Sequence, residues 1–180
     1  MPSLLITVHP FDPWGSKIGG IESAIRSMLH HAPPEMELSL VGVTECPRER
    51  PVGHWQTLDF RGKSLRFYPL FSIENPNRRT WVPLFLRFAL QLRFCPFDGS
   101  NSIVVYHRIE PLALTNPRSH ARILCVHGDP REWIGSRSEV RWRYIPWLYR
   151  KMESKAIQKA RRLLVVSRTR SEERRVRERV

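Results

Sequence analysis

Lysine is scarce in this 180-residue chain: only five of its 30 basic residues are lysines, the rest being arginine. Cysteine is scarce too. The three present, Cys46, Cys95 and Cys125, are odd in number and show no paired spacing. That pattern argues against a disulfide scaffold and fits a reducing compartment. Neither C-x-x-C nor H-x-x-x-H occurs, and without such spacings a structural zinc site is not expected. Long apolar runs are missing as well. The most apolar stretch, Trp81 to Phe94, is interrupted by Pro83, Arg87, Gln91 and Arg93. A bilayer span needs about 20 apolar residues. The first apolar run, Leu4 to Val8, has no basic segment before it and meets His9-Pro10 too early for a secretory signal. No internal repeat or low-complexity linker appears. These absences leave an α/β domain expected in the cytoplasm, or peripherally at the inner face of the membrane.

The chain has ample means to build a core. It is 41% hydrophobic and 10% aromatic, within the globular range, and its length suits one domain. The net charge of +13 is unevenly placed. Residues 1–130 carry 14 basic and 11 acidic groups, whereas residues 131–180 carry 16 and 6.

Apolar strands alternate with amphipathic helices. Leu4 to Val8 is a continuous apolar run, as expected of a strand buried on both faces. Gly15, Gly19 and Gly20 follow, and a helix is predicted from Ile21 to about His31 with Ile21, Ala24, Ile25, Met28 and Leu29 on one face. Met36 to Val43 reads as a second strand, with a short strand near Trp55 to Phe60 in the polar connection beyond it. Leu65 to Leu70 reads as another, stopped by Pro69. A helix is expected from about Thr80 to Cys95. Ile103 to Tyr106, Ala121 to Val126 and Leu163 to Val166 repeat the first strand's character. Pro146 opens a helix running to about Ala160, with Tyr149, Met152, Ala156 and Ala160 in one stripe. A last helix, capped by Ser167 or Thr169, is expected over Arg168 to Val180. This order predicts a single-domain, Rossmann-like, mainly parallel sheet with helices on both faces.

In such sheets ligands bind outside the carboxyl ends of the strands, where the winding reverses. The rule selects His9 to Gly20, His107 to Pro111, His127 to Asp129, and Ser167. Three of those four strand ends carry a histidine directly after the strand. His127 is the candidate for acid/base work or for orienting a hydroxyl; a structural histidine bonded to a loop carbonyl is the plain alternative. His107 with Glu110 is weighed in the same way. Gly15, Gly19 and Gly20 lead into a helix N-terminus, where a backbone without Cβ atoms and the helix dipole favour an anion. A tight turn explains the glycines equally well, and Glu22 complements the dipole without any ligand. Gly62-Lys63-Ser64 lacks the spacing of a P-loop, since Thr57 stands where the first glycine would be. Arg141 to Arg150 interleaves bases with aromatics. That pattern suits single-stranded nucleic acid or an anionic membrane surface, and a solvated face of a core edge is the commoner cause. A basic binding module acting through residues 131–180 is the alternative to an enzyme, with nucleic acid its weaker form.

Several of these motifs together resemble the N-terminal domain of a family 4 glycosyltransferase of the GT-B fold. Gly19-Gly20-Ile21-Glu22 is similar to that family's turn into its first helix. Val104 to Pro111 resembles its H-x-H strand end followed by an acid and a proline, with Ile109 in place of the second histidine. Cys125-Val126-His127 is similar to its later V-H strand end, and Lys151 to Ser167 to its basic helix, Ala-Arg link, apolar strand and serine. The resemblance runs from Leu4 to about Arg175. It implies transfer of a sugar from a nucleotide-sugar donor to a saccharide or lipid-linked acceptor, with retention and without a metal or other cofactor. His127 would be the catalytic-site residue facing the transferred sugar. Gly19, Gly20, Glu22, His107, Glu110 and Ser167 would bind substrate, the glycines near the donor phosphates or the acceptor. The donor-binding C-terminal domain with its E-x7-E carboxylates has no counterpart in residues 1–180. The resemblance therefore implies a half that is inactive until a C-terminal domain or partner chain completes it.

Overall fold

A computed structural model describes residues 4–16, 19–74, 82–96, 99–115, 119–127, 145–166 and 176–179. Eight strands form one sheet: β1 (Leu4–Val8), β2 (Glu37–Thr44), β3 (Gln56–Phe60), β4 (Lys63–Ser72), β5 (Gly99–Tyr106), β6 (Ser119–His127), β7 (Arg162–Val166) and β8 (Val176–Arg179). Their spatial order is β3-β4-β2-β1-β5-β6-β7-β8. The six inner strands run parallel, and β3 and β8 flank them antiparallel. The chain winds outward from β1 through β2 to β4, returns to the other side of β1 at β5, and then winds outward again. The reversal lies between β1 and β5, the arrangement of a Rossmann-like doubly wound fold.

Strand alternation sorts the core into two layers. On one face Ile6, Val8, Val41, Val43, Val104, Tyr106 and Leu124 meet three helices: α2 (Leu84–Gln91), α3 (Ile109–Leu114) and α4 (Pro146–Lys159). On the other, Leu5, Leu38, Leu40, Phe67, Val105 and Cys125 meet α1 (Gly20–His31) through Ile25 and Leu29. Burial on both faces explains why β1 reads as a continuous apolar run instead of an alternating one. In α4 the predicted stripe is in place, with Tyr149, Met152 and Ala156 buried.

Four expectations need correction. Pro69 does not stop its strand, for β4 continues to Ser72. β3 pairs with β4 only as far as Phe67, and Pro69's carbonyl accepts from Gly53 N–H (2.9 Å) on that open side. The N–H and C=O of an extended residue point to the same edge. The donor that proline lacks would thus have faced away from β2, where its loss breaks no ladder bond. The last helix is not found over its C-terminal part: Val176–Arg179 pairs antiparallel with β7 and covers an edge that would otherwise be open. The helix expected from Thr80 begins at Leu84, with Pro83 as its cap, and after Gln91 tightens to a 3-10 turn over Leu92–Phe94. Ala24 is exposed, so the buried stripe of α1 is narrower than its composition suggests. Gly62 sits with Arg61 in a tight hairpin turn at positive φ (80° and 54°), which is no P-loop, in keeping with the spacing. Among the described residues no helix is long and apolar enough to cross a membrane.

Candidate functional site

The parallel ladders align the ends of β1, β5 and β6. Val8 pairs with Tyr106, and Tyr106 with Leu124. Residues just beyond those pairs share one rim of the sheet at the point where its winding reverses. His9, His107 and His127 meet there. His107 Nδ1 and His127 Nε2 are 3.0 Å apart. Their ring centroids are 5.2 Å apart with the planes at 26°, about what two imidazoles joined end to end by one hydrogen bond require. The His9 ring stands edge-on to that of His107 with centroids at 6.1 Å.

Glu22 completes the group. It lies in the first turn of α1, and its Oε1 is 3.5 Å from His9 Nε2. The other carboxylate oxygen lies over Gly19, so close that a Cβ on Gly19 would collide with it. Gly19 is the N-cap of α1 and offers no side chain of its own; a glutamate three residues later that reaches back toward the cap is a capping arrangement. Gly15 has a parallel explanation, because a Cβ there would run into the carboxylate of Glu45. Both glycines thus make room for carboxylates of the chain itself, and Gly20 meets nothing within 4 Å.

Burial sets the electrostatics. His9, Glu22 and His107 are only 2%, 5% and 4% exposed. Desolvation pushes His107 well below the ordinary imidazole value, helped by the neighbouring His9 and His127. His127 is lowered mainly by burial and then by the Arg108 guanidinium, while Glu22 acts in the opposite direction. At neutral pH the His107–His127 pair is therefore uncharged. His107 Nε2 is buried with no hydrogen-bond partner among the described residues. Among the described residues no cluster of three or more His, Cys, Asp or Glu side chains is arranged to hold a metal.

Glu110 is buried in the first turn of α3, where its charge helps raise the Tyr149 phenol of α4 after burial and Glu153. Ser167, Thr169, Gly128, Asp129 and residues 141–144 of the Arg/aromatic stretch lie outside the described residues. Clefts among the described residues that lie apart from His9, His107 and His127 include one beside Trp14, Arg26, His30 and Arg61 and another beside Pro34, Lys63 and Arg66.

Sequence reasoning missed a second polar cluster on the same rim. Asp12, fully buried, follows β1 and anchors the loop to the end of β2. Its Oδ1 accepts from Trp14 N–H (3.0 Å). Its Oδ2 accepts from Glu45 N–H (2.8 Å), Thr44 Oγ1 (3.3 Å) and Arg50 Nε (3.2 Å), and Arg50 Nη2 is 3.1 Å away. Gly42 lets the loop pass this closely, since a Cβ there would come 2.5 Å from the Phe11 carbonyl oxygen. The one available signal was a lone acid in an apolar loop, His9-Pro10-Phe11-Asp12-Pro13-Trp14.

Compared with known proteins, the chain matches no family model and no curated sequence. Fold and site define an α/β domain of Rossmann-like topology with an uncharged histidine pair at the reversal of its sheet.

Proposed function

We propose that this chain is the acceptor-side half of a glycosyltransferase that moves a sugar from a nucleotide-sugar to a hydroxyl-bearing acceptor. The supporting observation is the meeting of His9, Glu22, His107 and His127 at the sheet reversal, the place where such folds bind ligands. In the transfer, the acceptor oxygen bonds to the anomeric carbon as that carbon's bond to the diphosphate breaks. The electron pair leaves with the nucleoside diphosphate, and the hydroxyl proton passes to an oxygen of that leaving group. Such a reaction asks the protein for positioning and charge stabilisation more than for a strong base. A second domain or chain supplies the contacts to the diphosphate, and His127 lies against the sugar or the acceptor hydroxyl.

The test is to read the transcript past the codon for Val180, measure the intact mass of the native protein, and assay that protein for sugar transfer. A second α/β domain carrying E-x7-E, with transfer lost in His127→Ala, supports the proposal. A native protein that neither transfers sugar nor binds any saccharide, alone or with a donor domain restored, rules it out.

A lipid-linked acceptor is favoured by the helices on the three-helix face. Phe94 after α2 and Trp147 in α4 are 85% and 67% exposed, and Leu90 and Ile145 are also exposed. Large apolar side chains presented this way suit contact with a membrane surface. Co-sedimentation with vesicles containing anionic lipid, weakened in Phe94→Ser with Trp147→Ser, is the expected result; no difference from wild type discards this reading.

A further inference from the structure

The two nitrogens 3.0 Å apart in the His107–His127 pair can hold only one proton between them, and which ring supplies it decides what His127 can do. If His127 donates from Nε2, then His107 accepts at Nδ1, and its own proton sits on Nε2. That nitrogen is buried with no partner among the described residues, and an orphaned buried N–H is among the rarest and costliest defects of a folded protein. If His107 donates from Nδ1, the orphan at Nε2 is a lone pair, the lesser cost. His127 Nε2 is then occupied as an acceptor, and the His127 proton must sit on Nδ1.

From this we infer that His107 is a positioning residue that fixes His127 in its Nδ1–H form, so that His127 meets the ligand as an uncharged hydrogen-bond donor. In this state His127 has no free lone pair with which to take a proton, so it steadies a ligand oxygen and does not act as a general base. The surroundings agree. His127 is half-buried at the rim, burial disfavours charge on both rings, and Arg108 adds further opposition to a cationic His127. Glu22 faces His9 on the neighbouring strand end (3.5 Å) and is the one nearby charge that favours a cationic His127, outweighed there by burial and Arg108. The assignment of His127 toward a ligand oxygen rests on the glycosyltransferase reading above, whereas the tautomer does not.

Two-bond proton–nitrogen NMR correlations of the imidazoles read the tautomer directly, in the ligand-free chain above the ordinary imidazole value. The expected spectrum has His127 protonated at Nδ1 with Nε2 as a bonded acceptor. His107→Leu should release His127 to the Nε2–H form that a free imidazole prefers. His107→Asn, whose amide nitrogen falls where Nδ1 stood, should restore the wild-type pattern. A wild-type His127 protonated at Nε2, or a pattern unmoved by His107→Leu in a variant that still folds, overturns the inference. Titration with a neutral methyl glycoside tests the donor role. His127→Asn should keep the affinity, and His127→Ala should lose roughly tenfold. Loss in both variants, or in neither, overturns that role. A wild-type chain that binds no glycoside counts against the saccharide reading instead, and the ligand-free spectrum still decides the tautomer.

Discussion

The rim of the sheet holds two buried polar clusters, one including His9 and the other built on Asp12 in the same loop, and they are finished differently. Around Asp12 both carboxylate oxygens are engaged by Trp14, Thr44, Glu45 and Arg50, and Arg50 continues to Glu49 at 2.9 Å. Around His107 one nitrogen is bonded and the other, buried, has no partner among the described residues. A buried group with every bond made has been placed for the fold. A buried group left wanting lowers stability, and function is the usual reason for retaining it. The contrast separates two sets of residues that burial and position alone would have ranked together.

Substitutions should sharpen that contrast, and Asp12→Ala should have the largest effect. It removes the buried partner of the Arg50 guanidinium, which keeps only the exposed Glu49, and of three further donors, which puts the expected loss at about 3–5 kcal/mol by denaturant unfolding. A loss under about 1 kcal/mol would remove Asp12 from the frame of the fold. Gly42→Ala comes next, at about 1–3 kcal/mol, because the methyl group meets the Phe11 carbonyl and the Phe67 ring instead of a yielding side chain. His107→Leu should then be nearly neutral in stability, within about 1 kcal/mol of wild type, because it replaces an unsatisfied polar ring with an apolar group. A loss as large as that of Asp12→Ala would show that the two clusters do not differ in kind.

Acidification separates them further. Both rings of the pair are held below the ordinary imidazole value of 6.5 in the folded chain. Below that value the unfolded chain binds more protons than the folded one, so stability is complete above 6.5 and falls as the pH drops. The melting temperature should decline between about pH 7 and pH 5, with a shallower slope in His107→Leu. An unchanged slope would mean the pair does not govern it. Gly19→Ala should have the smallest effect. Its methyl group meets only the far end of the flexible Glu22 side chain, so a change of roughly 0.5 kcal/mol is expected, and it should vanish in an E22A background.

Much of the layout was legible in the chain. Continuous apolar runs gave away the inner strands because a parallel sheet covered on both faces needs no polar side. Their ends could then be found, and the three histidines directly after them stood out before any geometry was known. Residues that depend on a partner distant in sequence were not legible. Val176 to Arg179 alternates charge with little apolar content, a pattern compatible with a surface helix or an edge strand, and pairing with β7 decides for the strand. Pro69 looks like a strand breaker until the side of the ladder it faces is known. Gly15 and Gly19 read equally as a tight turn or an anion cradle, and only the fold shows the carboxylates of Glu45 and Glu22 against them.

By itself the sequence determined the fold class, the strand ends and the histidines on them, because burial and period are properties of neighbours along the chain. Only the tertiary structure decided that His107 bonds to His127, that Glu22 folds back to His9, and that Asp12 ties the first loop to β2. Each of these contacts joins residues brought together by strand register, and a hydrogen bond depends on distances of tenths of an ångström that no pattern of residue types specifies.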